Sequence, residues 1–113
     1  MKVKVSELEG AALDWAVGKC QPLPDHGQRF VEDGYHPSTD WAQGGPIIER
    51  EGMGVWMYQW NERGDPEVGW YAETKEGNYV RTGSTPLIAA MRCYVASKLG
   101  KEVDVPDNLG EQA

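Results

Sequence analysis

The sequence predicts an α+β fold, a small antiparallel β-meander packed against an N-terminal helix and a C-terminal core helix. Three features carry that expectation. The segments "VWMYQW", "VGWYAET" and "NYVRT" are short and rich in aromatic and β-branched residues, and the turn-forming stretches "NERGDPE" and "KEGN" separate them. The run "LIAAMRCYVASKL" is apolar on most sides apart from Arg92, Ser97 and Lys98, with Thr85-Pro86 before it and Gly100 after it. Leu8, Ala11, Ala12, Trp15 and Ala16 recur at helical spacing near the start.

Each element has its own local signal. "SELE" has the form of a capping box, with Ser6 as N-cap and Glu9 at the third helical position, so the first helix is expected to run to about Lys19. Gly10 and Gly18 each weaken that helix by roughly 1 kcal/mol relative to Ala, so packing must hold it. "QPLPDHGQ" stops it, and residues 21–40 read as loop with a short extended piece at Arg29–Val31. Pro46 after Gly44-Gly45 suits the first position of a short helix "PIIERE". Alternation along "VWMYQW" sets Trp56, Tyr58 and Trp60 on one face, which either packs on the last helix or stays open. Thr85 can cap the final long helix with Pro86 in its first turn. "VDVP" extends beyond it and "DNLGEQA" reads as frayed, so one domain is expected over 1–106 with a flexible tail at 107–113.

Composition narrows the function classes. A chain of 113 residues supports one modest core. Five Trp and five Tyr against a single Phe favour half-buried or partner-facing surfaces. A formal charge of -7 excludes a broad footprint on nucleic acid or anionic membrane, although a local basic pocket is compatible with it. No apolar stretch opens the chain as a signal peptide would, and none reaches the ~20 residues of a membrane span, so a cytoplasmic protein is expected. Cys20 and Cys93 sit in apolar helical contexts without metal-ligand spacing, as buried free thiols do.

Catalytic chemistry finds little support. His26 and His36 lie in loop-like sequence, and no nucleophile motif or phosphate-loop motif accompanies them. Asp14, Asp40 and Glu49 could approach one another, but pairs among 18 acidic residues carry little weight. No cofactor or metal is expected.

Binding chemistry is better represented. Two expected helix starts, Gly44-Gly45-Pro46 and "VRTGSTP", offer unpaired N–H groups and a positive dipole end for an anion. Arg81, Ser84, Thr85 and the backbone of Gly44 and Gly45 would take phosphates. Trp41 and Tyr35 would hold a base, while Ser38, Asp40 and Gln43 lie in the same turn-rich stretch and the latter two would bond its edge or a ribose hydroxyl. Arg50 and Arg92 are second anion contacts, Arg92 alternatively pairing with a carboxylate. Each piece also has a structural explanation: Gly-Ser-Thr-Pro is a good cap, Asp40 can close a turn, and strand tryptophans commonly cover a core.

The stretches "KVKVSELEGAALDWAVGKC", "PSTDWAQGGPIIERE" and "STPLIAAMRCYVASKLGKEVDVP" resemble the NinX-like family of small phage and prophage proteins. The resemblance runs from Met1 to about Pro106 and is weakest over residues 52–80. It implies a phage-encoded accessory protein acting in the host cytoplasm, and it carries no catalytic residue with it. Together with the binding residues, it leads to a non-enzymatic protein that binds, and sequesters from host defence signalling, a small phosphate-bearing, nucleotide-like ligand. The alternative is a module that docks on a host or phage protein through an aromatic and acidic surface. A homo-oligomer is compatible with either.

Overall fold

The computed structural model of the chain describes residues 1–21, 34–60 and 63–110. Strand β1 (Lys2–Lys4) leads through a 3-10 turn at Val5–Glu7 into helix α1 (Gly10–Cys20). Helix α2 (Trp41–Glu51) precedes the meander β2 (Gly54–Trp60), β3 (Pro66–Glu73) and β4 (Val80–Gly83). Helix α3 (Pro86–Leu99), strand β5 (Glu102–Asp104) and the single turn α4 (Asp107–Gly110) complete the order. The α+β class and the three-stranded antiparallel meander are as the sequence predicts.

Helix α3 is the centre of the molecule. It buries Leu87, Ala89, Ala90, Met91, Cys93, Tyr94, Val95 and Ala96, more than one face of a surface helix would supply. Thr85 caps it as expected, its hydroxyl accepting from the Ile88 N–H at 3.1 Å. One side of α3 meets the meander through Ala72, with Val55 and Trp70 packed alongside. Helix α1 adds Ala12, Leu13, Ala16 and Val17 to the same core.

The meander register pairs Val55 with Ala72 and Ala72 with Arg81, and in the next row Trp56 with Tyr71 and Tyr71 with Thr82. Successive rows face opposite sides of a sheet. The face bearing Trp56 and Tyr58 therefore points away from α3, which answers the question the alternation left open. Small Ala72 and Val55 let the helix approach, and the rings of Trp56 and Tyr71 remain on the outer face. The Trp60 side chain lies outside the described part of the structure.

Two local expectations need correction, and two C-terminal segments gain a definite place. The Ser6–Glu9 capping box does not form: Leu8 and Glu9 are extended, and α1 begins after Glu9, which makes no side-chain cap. Gly10 takes a φ of +57°, a left-handed turn that separates the 3-10 turn from the helix. Helix α2 starts at Trp41 rather than Pro46, with Asp40 as N-cap accepting from the Ala42 N–H at 2.9 Å. Pro46 therefore sits inside the helix. The expected loose strand at "VDVP" is half of a second sheet, in which Lys2, Val3 and Lys4 pair antiparallel with Asp104, Val103 and Glu102. At the C-terminal end, Asp107–Gly110 form one helical turn and Leu109 packs partly against the core. The expected extended piece at Arg29–Val31, and His26, lie outside the described residues. Among the described residues, no helix is long and apolar enough to cross a membrane.

Candidate functional site

The predicted ligand residues do not converge on one pocket. Three places share them out, and each is built by different elements.

The first is a cleft of about 200 Å³ where the starts of α2 and α3 meet, lined by Ser38, Thr39, Trp41, Thr85, Pro86 and Leu87. It unites three predicted residues, Ser38, Trp41 and Thr85. The helices come this close because position 44 is glycine: an added Cβ would lie 2.4 Å from the Pro37 carbonyl oxygen and 2.7 Å from Leu87 Cδ2. Trp41 stands 56% exposed at its edge, and Ser84 is exposed beside Thr85. Ser38 is buried, and its N–H donates to Asp14 Oδ1 at 2.9 Å. Its hydroxyl lies beside that carboxylate, outside hydrogen-bond geometry. Burial is the main influence on Asp14 and raises its pKa above 3.8, against the opposing Ser38 contacts.

Several predicted contacts here are already engaged. Asp40 caps α2, and the Gly44 N–H donates within the helix to the Asp40 carbonyl at 2.8 Å. The Gly44-Gly45 backbone is thus helical interior and presents no open anion nest. Gln43 ties the preceding loop to α2, donating to the Gly34 carbonyl at 3.1 Å and accepting from the His36 N–H. Asp14, Asp40 and Glu49 have separate roles, the last being exposed on α2.

The second place is a hollow of about 270 Å³ bordered by Arg50, Glu51, Lys75, Tyr94 and Lys98 among others. Arg50 has structural partners here. It donates to the Tyr94 hydroxyl (3.0 Å), Gln21 Oε1 (3.3 Å) and Glu51 Oε2 (3.1 Å). The Tyr94 hydroxyl in turn donates to the Cys20 carbonyl at 3.1 Å, linking three helices. Burial pushes Tyr94 and Cys20 up to about 12 and Cys93 to about 11, so both thiols stay protonated. Tyr35 is half-buried near Gln21 and Arg50, where burial raises its pKa, and it does not line the Trp41 cleft. Arg92 is engaged by backbone carbonyls, with the Glu9 carboxylate acting on it electrostatically. Its Nε donates to the Leu8 carbonyl (2.7 Å) and its guanidinium to the Thr82 carbonyl (2.9 Å), fastening the turn before α1 and strand β4 to α3.

The third place holds Arg81. It is a groove of about 440 Å³ lined by Arg81 from β4, Lys4 from β1, Ser6, and Lys101 and Glu102 around the start of β5. Arg81 reaches it because its row of the meander faces α3, and the two-stranded sheet closes the other side. Its guanidinium donates to the Val80 carbonyl at 2.7 Å. Among the described residues, neither Arg81, Lys4 nor Lys101 has a carboxylate within 4 Å, whereas Arg50, Arg63 and Lys98 each have one. Lys4 faces Glu102 across the ladder without forming an ion pair. Lys4, Ser6, Lys101 and Glu102 were not singled out as ligand residues from the sequence, because only the pairing of β1 with β5 brings them to Arg81. The alternations "KVKV" and "EVDV" are the signals that could have shown it. Among the described residues, no group of three His, Cys, Asp or Glu side chains could hold a metal ion.

No curated protein matches the chain. Residues 4–98 match the family model described as bacteriophage P22, NinX. That span covers both helix starts, the meander, Arg81 and nearly all of α3, and it makes the chain a member of the bacteriophage P22 NinX family.

Proposed function

We propose that this phage accessory protein is a non-enzymatic binder of a small phosphate-bearing ligand, held in the groove of Arg81, Lys4 and Lys101. The observation that supports the reading is a local reversal of charge. On a chain of net charge -7, three cations with no carboxylate within 4 Å among the described residues line one groove. Unpaired cations on an acidic surface are free to exchange water for phosphate oxygens. The Arg81 fork suits a phosphate face and the two ammonium groups act as point charges beside it. The volume lies within the range of small-ligand sites, about 300–1,000 Å³. Sequestration of a host signalling ligand is the use that binding without turnover fits. A nucleotide-like ligand would set its base on an aromatic face, and the Trp41 cleft, which shares no residue with the groove, offers one.

Thermal shift against inorganic phosphate, mono-, di- and cyclic nucleotides and ADP-ribose tests the reading. A ligand at 100 times its dissociation constant adds about 2.7 kcal/mol of stability. Arg81→Ala is expected to abolish the shift while leaving the unliganded melting unchanged. Recovery of the ligand at unaltered mass supports sequestration, and altered mass makes the protein an enzyme. No shift with any phosphate-bearing compound overturns the reading.

A second reading has its own observation. The outer face of the meander is uncovered: Trp56 is 45% exposed and stacks on Tyr71 with centroids 5.3 Å apart and planes 23° from parallel. Aromatic surface of this kind suits a protein partner. Trp56→Ser would then remove partner capture and leave any ligand shift intact.

A further inference from the structure

Resting on the phosphate-binding reading, we infer that the groove is built for a sugar phosphate, with Glu102 accepting hydrogen bonds from the sugar hydroxyls.

The lining is unusual for a site that takes phosphate alone. Three cations and one carboxylate leave it with a net charge of +2. A phosphate monoester carries about -1.5 to -2 at neutral pH, so a single such group matches it. A diphosphate brings more negative charge and would face the Glu102 carboxylate directly. An ionised carboxylate only accepts hydrogen bonds, so in an anion site it repels a bare phosphate and is satisfied by a ligand offering O–H donors next to the phosphate. Lys4 lies opposite Glu102 on the β1–β5 ladder, yet the two form no ion pair, so the carboxylate remains available. The Ser6 hydroxyl both donates and accepts, as polyol recognition requires. Among the described residues, none that lines the groove is aromatic, so they offer a nucleobase nothing to stack on. At about 440 Å³ the groove has room for a phosphorylated pentose or hexose.

Calorimetric titration of the wild-type protein and Glu102→Ala with inorganic phosphate, pyrophosphate, ribose 5-phosphate and unphosphorylated ribose tests this. Glu102 is exposed on a strand, so its truncation spares the core. Wild type is expected to bind ribose 5-phosphate about tenfold more tightly than inorganic phosphate, the scale of a hydrogen bond to a charged group. Glu102→Ala is expected to bind inorganic phosphate more tightly than wild type does and to lose the preference for the sugar phosphate. If phosphate binds without that preference, if pyrophosphate binds best, or if the preference survives Glu102→Ala, the sugar-phosphate assignment is overturned while phosphate binding stands. If no phosphate-bearing probe binds, both fall.

Discussion

Position 44 shows how one missing methyl group sets the geometry of the molecule. A Cβ there would meet the Pro37 carbonyl oxygen at 2.4 Å and Leu87 Cδ2 at 2.7 Å, and the first of these is backbone that cannot rotate away. Gly44→Ala is expected to cost about 1–3 kcal/mol, the usual scale of overpacking, as measured by urea denaturation. Gly45→Ala is the control. Its nearest neighbour would be Trp41 Cε3 at 3.9 Å, so space is ample. The gain in helix propensity is offset by crowding against Pro46, and a change below about 1 kcal/mol is expected. Asp14 offers a second test at this scale. It is only 4% exposed, and burial raises its pKa above the 3.8 of the unfolded chain. The folded protein therefore holds that proton more tightly, and the Asp14 contribution becomes more favourable as pH falls through the raised value toward 3.8. Asp14→Asn mimics the protonated side chain. It is expected to melt higher than wild type at pH 7, with the gap closing as melting is measured at progressively lower pH.

Among the elements, α2 and α3 begin in the same way, with a side-chain oxygen accepting from an early N–H. Asp40→Ala and Thr85→Ala should each cost about 1 kcal/mol in denaturant unfolding, the typical value of an N-cap. An Asp40→Ala variant as stable as wild type would place the start of α2 nearer Pro46. These two caps also show what the sequence makes legible. Thr85-Pro86 is readable because cap and proline occupy adjacent, expected positions and an unbroken apolar run follows. Asp40 is harder to read because Gly44, Gly45 and Pro46 follow it, and local propensity there favours a break. Tertiary contact overrides that preference, since burying Ile47 and fitting Gly44 against Leu87 pull the whole segment into one helix. The available clue was Asp40 followed by Gln43, the spacing of a capping box. Gln43 nevertheless turns back to the 34–36 loop, which no local pattern encodes. The meander is legible for the opposite reason, because its turns and its aromatic alternation agree. The same agreement does not reveal which face is covered. That depends on where α3 lies.

At the scale of the whole molecule, α3 packs against strands of both sheets. Arg92 fastens the Leu8 and Thr82 carbonyls to that helix, and the proposed ligand groove takes residues from both sheets. Closure of β1 on β5 joins residues about a hundred positions apart, which explains why no local pattern in the sequence brings Lys4 or Lys101 to Arg81. The arrangement predicts a graded stability. Amides of residues 89–96 in α3 sit in the densest part of the core and should exchange with solvent only when the entire chain unfolds, giving opening free energies equal to the global value from denaturant. The β1–β5 ladder has three residue pairs and two open edges, so it should open at lower cost. Native-state hydrogen exchange measures both. A ligand held by Lys4 on one sheet, Lys101 just before β5 and Arg81 on the other sheet would have to be released before that ladder opens. Its addition should slow exchange of the Val3 and Val103 amides in proportion to occupancy. Slowing confined to the Trp41 cleft would place the ligand between the starts of α2 and α3 instead. Uniform slowing everywhere would mean that α3 and the two-stranded sheet open as a single cooperative unit.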